Sequence, residues 1–369
     1  MKKLGFGFMR LPLTDPENRA SVDMEQTKRL VDEFMSRGFE YFDTAWVYCG
    51  FNSENALREA LVERYPRESF KIATKFHAHF ANNIEERDNM FEEQLRKTGV
   101  EYFDYYLLHT IFDEFYKKYT ELDCFNWLVQ KKAEGRVKNI GFSFHDNAEL
   151  LDRILTEHPE VDFVQLQINY LDWDSERIQS AKCYEVARKH GKDVIVMEPV
   201  KGGALAKVPE SVEAMYKEIS PDMSVPSWAI RFAAGLDGVI MVLSGMNTME
   251  QVIDNTSYMT DFKPLTAEET ETVFKGARMI RDSIAIPCTG CEYCVDGCPK
   301  GIPIPSYFSL YNGDKKFDSR PSREKYNELA EKLAPADACI ECGQCEALCP
   351  QKLTIIEDLK KVTKHFEKR

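Results

Sequence analysis

Cys288-Thr-Gly-Cys291-Glu-Tyr-Cys294-Val-Asp-Gly-Cys298-Pro299 returns later in the chain as Cys339-Ile-Glu-Cys342-Gly-Gln-Cys345-Glu-Ala-Leu-Cys349-Pro350. Both copies read C-x2-C-x2-C-x3-C-P, a spacing in which thiolates on a tight loop hold an iron–sulfur cube. Structural zinc on C-x-x-C pairs needs four ligands in two pairs. It gives no reason for a third cysteine at the same step, a fourth three residues on and a proline behind it, twice. Where two cubes share such runs, the fourth cysteine of each crosses to the other. Cys288, Cys291 and Cys294 therefore pair with Cys349, and Cys339, Cys342 and Cys345 with Cys298. Two [4Fe-4S] clusters organise the chain from Cys288 onward and set the residues before it apart as a separate unit.

A chain of 369 residues with 43% hydrophobic side chains has room for one large domain and one small one. Cys49, Cys124 and Cys183 stand alone and read as small buried side chains. Oxygen-labile clusters and reduced thiols imply a reducing compartment. The start, Met1-Lys2-Lys3-Leu4-Gly5-Phe6-Gly7, has no apolar leader core, so a cytoplasmic location is expected. No apolar run approaches membrane-spanning length, and no membrane partner is expected. From Cys288 on, basic and acidic residues balance, so the net charge of −13 belongs to the residues before it. Such a surface argues against nucleic acid, whose binding needs a basic footprint.

Before Cys288, short runs of β-branched and aromatic residues alternate with longer segments of helical period. The runs predict strands at Leu4–Phe8, Glu40–Thr44, Lys71–Lys75, Phe103–Leu108, Lys138–Phe142, Phe163–Gln167, Asp193–Met197 and Val239–Leu243. Helices are predicted near 23–37, 53–64, 84–98, 121–134, 147–157, 176–190, 224–234 and 248–259. Eight strand–helix units over residues 1–262 predict an α/β fold, a (β/α)8 TIM barrel. A doubly wound open sheet is the rival, but no G-x-G-x-x-G follows the first strand. Residues 263–287 predict a connecting helix, opened by a capping box at Thr266 and Glu269 and stopped by Pro287. Its length suffices to carry the chain from the bottom of the barrel back to the top, where catalytic loops lie. Residues 288–369 predict a mainly helical ferredoxin-like iron–sulfur domain, with helices at Ile304–Tyr311, Arg323–Leu333 and Ile355–Phe366.

Reactive residues of such a barrel sit at the carboxyl ends of its strands. Those positions give Asp43 and, five residues on, Tyr48 after the second strand, Lys75 on the third and His109 on the fourth. An ammonium beside a phenol favours the phenolate, and an aspartate holds the lysine charged and in place. That combination is a proton donor for a carbonyl oxygen.

With these residues the sequence resembles the aldo-keto reductase family. The resemblance runs through Gly5-Phe6-Gly7-Phe8-Met9-Arg10-Leu11, Phe42-Asp43-Thr44-Ala45-Trp46-Val47-Tyr48, Ala73-Thr74-Lys75, Asp104-Tyr105-Tyr106-Leu107-Leu108-His109 and Ile140-Gly141-Phe142-Ser143. With the tail included, the chain resembles the bacterial branch that carries a C-terminal ferredoxin-like two-cluster domain. The resemblance implies that Tyr48 donates or accepts the proton, Lys75 and Asp43 tune it, and His109 orients the carbonyl, with hydride from NAD(P)H. It also implies contacts from Ser143 and Gln165 to the nicotinamide amide and from Asn255 to the adenine, within the last loop Ser244–Asn255. Phe144 stands where the family usually has Asn, and Gly245 and Gln251 stand where it clamps a 2′-phosphate with Lys and Arg. Lys201-Gly202-Gly203, after the seventh strand, offers charge and open backbone to a phosphate.

His77, His79 and His145 join His109 around one mouth, in hydrogen-bonding or substrate-loop roles or as a metal site. Trp46, Phe76, Phe80 and Phe112 suggest a partly apolar pocket for a small-molecule carbonyl or alcohol. Three functions follow. One is a nicotinamide-dependent carbonyl reductase or alcohol dehydrogenase wired by its clusters to ferredoxin or another redox partner. The second is a flavin-linked reductase, in which FMN takes electrons singly from the clusters. The third, a non-catalytic electron-transfer module, is opposed by the intact Asp/Tyr/Lys/His set.

Overall fold

The structure, a computed structural model, describes residues 2–317 and 320–367. Eight parallel strands, β1 (Leu4–Gly7), β2 (Tyr41–Asp43), β3 (Lys71–Phe76), β4 (Phe103–Ile111), β5 (Val137–Phe144), β6 (Phe163–Gln167), β7 (Asp193–Met197) and β8 (Val239–Ser244), close in sequence order into one barrel. Every predicted strand is present, and the open-sheet alternative falls because β1 pairs with both β2 and β8. The strands read as nearly unbroken apolar runs because both faces are covered. Tyr41, Ala73, Leu107, Phe163, Ile195, Met241 and Leu243 point inward and fill the barrel, while a larger cluster packs between strands and helices. Gly141 on β5 is required by this filling: a Cβ there would lie 2.4 Å from the Phe163 carbonyl oxygen.

The helices follow the predicted period with local differences. The predicted helix at 121–134 runs over Cys124–Ala133, behind a separate helix, Asp113–Glu121, that the sequence reading lacks. Asp123, at φ 51°, breaks the two apart. A further helix, Glu210–Ile219, lies between β7 and Val225–Ala234.

The connecting helix, Ala267–Ser283, opens on the expected capping box, with the Thr266 side chain accepting from the Glu269 N–H and the Glu269 carboxylate from the Thr266 N–H. Glu269 also accepts both guanidinium arms of Arg231 at 2.9 Å and the Ser220 hydroxyl at 3.0 Å. This buried pair clamps the start of the helix to the barrel. The helix then runs along Glu210–Ile219, Gly276 lying against Tyr216 and Val212, and delivers the chain to Ile286. There a second hydrophobic cluster begins, built on helices Ile304–Phe317, Arg320–Lys332 and Ile355–Glu367. Among the described residues no helix is long and apolar enough to cross a membrane.

Burial alone would raise the Glu269 carboxyl's pKa, but Arg231, the Thr266 N–H and Ser220 together hold it below the ordinary carboxylate value. A depressed carboxyl contributes stability above its unfolded pKa and loses it as pH falls through the folded one. Glu269→Ala, which strands Arg231, should destabilise the barrel by about 3–5 kcal/mol at pH 7. The gap between variant and parent should close below about pH 4, where the parent's carboxylate also protonates. Thermal unfolding of both at pH 7 and in acid checks this; a gap that stays constant with pH refutes it.

Candidate active site

Four side chains converge at the carboxyl ends of β2, β3 and β4. Lys75, fully buried, donates to Asp43 Oδ1 at 2.6 Å and to the Thr44 carbonyl at 2.7 Å. Its Nζ lies 4.8 Å from the centre of the Tyr48 ring, and that ring meets the His109 imidazole edge-to-face at 5.6 Å. Tyr48 stands on a tight turn in which Cys49, Gly50 and Phe51 all take left-handed φ values. The turn is fastened by Ser53, whose hydroxyl lies 2.7 Å from that of Thr44 and donates to the Phe8 carbonyl at 3.0 Å. Behind β3, buried Glu54 accepts from Thr74 and Gln94 and forms an ion pair with Lys97, and Gln94 donates to the Lys75 carbonyl at 3.1 Å. This web fixes the backbone that aims Lys75, and the sequence motifs do not reveal it.

The electrostatics differ from the expected acidified phenol. Burial pushes the Tyr48 pKa well above the ordinary phenol value, Asp43 adds to the rise, and Arg10 opposes it. Burial likewise lowers Lys75 and raises Asp43, each partly offset by the other. His109 is held neutral by burial, with His77 and Lys75 pushing the same way. Tyr48 is thus a protonated donor beside a neutral imidazole.

The other predicted residues divide. Ser143 and Gln165 are buried inside the mouth, and Gln165 Oε1 has no hydrogen-bond partner. That orphaned acceptor fits the amide group of a nicotinamide. Ser143 Oγ accepts from the Thr110 N–H at 2.7 Å. Asn255 is tied at both ends of its amide, to Ser244 Oγ at 2.8 Å and to the Tyr258 hydroxyl at 2.7 Å. Gln251 accepts from the Asn247 N–H. Lys201 and Gly202, expected to meet a phosphate, serve a different purpose. Lys201 is buried and donates to Asp172 at 2.5 Å and Gln351 at 2.7 Å. A Cβ on Gly202 would strike the Thr289 carbonyl at 2.3 Å. Of the suggested apolar pocket residues, Phe76 belongs to the core against Tyr119 and Trp127. Phe80 packs on the exposed Phe51 beside Trp46, and Phe112 stacks on Phe115. His77 rests on His109 at 5.2 Å, and burial lowers its pKa to about 3.

The eight run cysteines gather in the expected crossed sets. Cys288, Cys291, Cys294 and Cys349 line one cavity; Cys298, Cys339, Cys342 and Cys345 line another. Among the described residues no three Cys, His, Asp or Glu groups converge as a single metal ion requires. Four thiols spread around a cavity, walled by Ile304, Ile355 and Phe308 in one case and Ile302, Ile356 and Leu359 in the other, fit a cube. The three lone cysteines are buried.

This module sits on the mouth. Arg10, after β1, donates to the Thr289 carbonyl, and Arg19 pairs with Glu292 and Asp296. Beyond β7, Glu198 accepts from Gln351 at 2.9 Å, and beyond β4 the Lys352 ammonium lies 5.3 Å from the Phe112 ring centre. Sequence reading missed Glu198, Asp172 and Gln351, whose only signal is that Gln351 follows the second Cys-Pro.

A profile of the Aldo/keto reductase family matches residues 3–275, and one of the 4Fe-4S dicluster domain matches residues 287–354. An NAD/NADP-dependent indole-3-acetaldehyde reductase from Schizosaccharomyces pombe is 27% identical over 256 residues, covering 66% of this chain and 81% of that protein. An aldo-keto reductase from Bacillus halodurans, in its holo form, superposes with a TM-score of 0.59 at 24% identity, over 74% of this chain and 91% of that one. One from Klebsiella pneumoniae in complex with NADPH gives 0.57 at 18% identity, over 75% and 90%. Between the closed barrel, the profile over its whole length and the appended cysteine domain, the chain belongs to the aldo/keto reductase family and is an oxidoreductase bearing a C-terminal 4Fe-4S dicluster domain.

Proposed function

We propose that the barrel mouth reduces a small-molecule carbonyl to its alcohol, or runs the reverse, with Tyr48 as the proton donor and acceptor. The observation that carries this is the buried convergence of Tyr48, the Lys75–Asp43 pair and neutral His109. A nicotinamide, whose amide Ser143 and unpaired Gln165 Oε1 would hold, supplies hydride to the carbonyl carbon. Tyr48 gives its proton to the carbonyl oxygen, the C=O double bond becomes C–O–H, and the phenolate left behind faces the Lys75 ammonium. Asp43 keeps that ammonium charged against the cost of burial. His109, neutral, donates one hydrogen bond to orient the carbonyl without competing as an acid. The S. pombe relative, an NAD/NADP-dependent indole-3-acetaldehyde reductase, supports carbonyl chemistry.

The crossed cysteine sets would hold two [4Fe-4S] clusters, a group whose chemistry is the exchange of single electrons with ferredoxin or another redox partner. The protein's part is to keep one set at the mouth, through Arg10, Lys201 and Gln351. A second reading has its own observation. Lys201, Gln251 and Asn255 are spent on internal bonds, which leaves the far half of a dinucleotide without these receivers. A flavin in the same mouth would take electrons singly from the clusters. The absorbance of anaerobically purified protein separates the readings, since a flavin has its own visible bands.

Tyr48→Phe should lower kcat/KM for carbonyl reduction by about 10²–10⁴-fold while cofactor affinity stays near the parent's, because one hydroxyl is lost and little else. Parental turnover in this variant would eliminate Tyr48 as the proton donor. Anaerobic analysis should find about eight iron atoms and as much sulfide per chain. Cys298→Ala should damage the cluster held mainly by Cys339, Cys342 and Cys345. Loss confined to the other cluster would overturn the crossed pairing.

A further inference from the structure

The two cysteine sets meet different surroundings. Every residue lining the cavity of Cys298, Cys339, Cys342 and Cys345 belongs to the module, and at its edge Cys342 and Ile340 are exposed. The cavity of Cys288, Cys291, Cys294 and Cys349 has Thr289 and Gln351 in its wall, and both of these touch the barrel. There the loop after β7 closes on it. The Thr289 carbonyl fills the space of a Gly202 Cβ, and Gln351 Nε2 donates to Glu198 Oε2 at 2.9 Å. Barrel charges therefore stand beside this inner set, one side chain away from its cavity.

Glu198 is the first of these charges. It holds a left-handed backbone, φ 54°, a conformation that is strained for any residue but glycine. Gln351 satisfies its Oε2, and a glutamine at 198 would accept that hydrogen bond equally well. The negative charge is thus not needed for docking, and beside thiolates it is unfavourable. Burial is the largest influence raising the Cys288 and Cys291 thiols, and Glu198 adds to both. Lys201, the buried cation of the same loop, is already matched by Asp172. The second charge is Arg177, in the loop after β6. It shares a wall with Pro350, the neighbour of Cys349, and makes no ion pair among the described residues. At Cys349 burial again raises the thiol, while backbone N–H groups and then Arg177, with Lys352 from the module, work against the rise.

One-electron reduction of a [4Fe-4S] cube adds one negative charge and makes or breaks no bond, so a fixed charge beside the cube shifts its potential according to sign. We propose that the barrel sets the reduction potential of the inner cluster through two opposed residues, Glu198 making it harder to reduce and Arg177 making it easier. The proposal rests on the two-cluster reading above and gives the barrel a part in it. Neither residue is a ligand; both act through the cluster that Cys288, Cys291, Cys294 and Cys349 would hold. The outer cluster, walled by module residues alone, keeps a potential of its own. The domain that carries the proton donor thereby fixes the free energy at which electrons arrive at its mouth.

The test is a potentiometric titration of the anaerobic full-length holoprotein at pH 8, followed by electron paramagnetic resonance, which reads both midpoints. Cys342→Ala, which removes a ligand of the outer cluster, shows which midpoint is the inner one. Glu198→Gln should raise the inner cluster's reduction equilibrium constant by about tenfold, or about 59 mV for one electron, with the outer midpoint unmoved. Glu198→Asp, which keeps the charge, should stay near the parent. Arg177→Gln should move the inner midpoint the other way, by about threefold, less because an exposed charge is screened. Loosened packing or admitted water would move both variants in one direction, so opposite signs report charge. Shifts of one sign, an equal shift in the outer cluster, or an inner midpoint unmoved by both substitutions would overturn the proposal. Should Glu198→Gln lose its iron, Arg177→Gln decides alone, since Arg177 is exposed, and an unmoved inner midpoint there overturns the proposal. Fewer than two cluster signals in the parent would instead sink the two-cluster reading, and the proposal with it.

Discussion

Lys75 places an ammonium at the mouth of the barrel with none of its surface exposed to solvent. Taking such an ion out of water costs several kcal/mol even after relaxation, so the fold must supply what water would have given. Asp43 and the Thr44 carbonyl do so, and both sit on β2, the strand beside β3. Because the pair cannot be moved apart without stranding a charge, β2 and β3 are locked in register at the mouth. The left-handed turn that follows β2 can then present Tyr48 only over the lysine. The Glu54, Gln94 and Thr74 web behind β3 repeats the logic one layer out, where buried Glu54 is matched by Lys97. The site is therefore built from charges too costly to leave unpaired, and its geometry follows from the pairing.

The same rule governs the seam with the iron–sulfur module. Lys201 and Asp172 form a buried ion pair on the barrel, and Gln351 bridges it to Glu198 from the module. A lysine closed beneath the module with no partner would be strongly destabilising, and the module with no Gln351 would leave the pair and Glu198 short of hydrogen bonds. Gly202 allows the barrel and the module to touch backbone to backbone, since any Cβ there would strike the Thr289 carbonyl. The connecting helix makes this seam reachable. Clamped at its start through Glu269 and Arg231, it spans roughly 25 Å at 1.5 Å per residue. That is enough to bring Cys288 from the foot of the barrel to its mouth.

Much of this was legible in the sequence because the signals were local. The eight strands are short apolar runs, the connecting helix announces itself by Thr266 and Glu269, and the cysteine spacing names its own chemistry. The failures have one physical origin. Lys201 reads as a free cation because its partners lie 29 and 150 residues away in the chain. Tyr48 reads as an acidified phenol because nearby charges are visible in a sequence and burial is not, and burial is the largest influence on its pKa. Phe76 reads as a pocket residue from its place near a strand end, but its side chain turns outward into the helix layer against Trp127. Helices Asp113–Glu121 and Glu210–Ile219 were passed over because one helix was allotted to each strand, although Glu210 follows Pro209 and opens an acidic first turn.

The mouth that results is asymmetric, and the asymmetry bears on what can enter it. On the β7 side the module seals the barrel, and the charged groups there cancel one another: Lys201 against Asp172, with Glu198 held by Gln351. On the β5 and β6 side Arg177 and Lys352 stand beside the buried Cys349 thiol, where their positive charge lowers the cost of a thiolate. This local sign is opposite to that of the chain, whose net charge is −13. A barrel surface of that sign repels a dissolved anion at long range, but the repulsion is screened within about 8 Å at physiological salt. At shorter range Arg177 and Lys352 answer to the buried Cys349, so the positive charge at this corner is matched from within the module and is not left over for a dissolved anion.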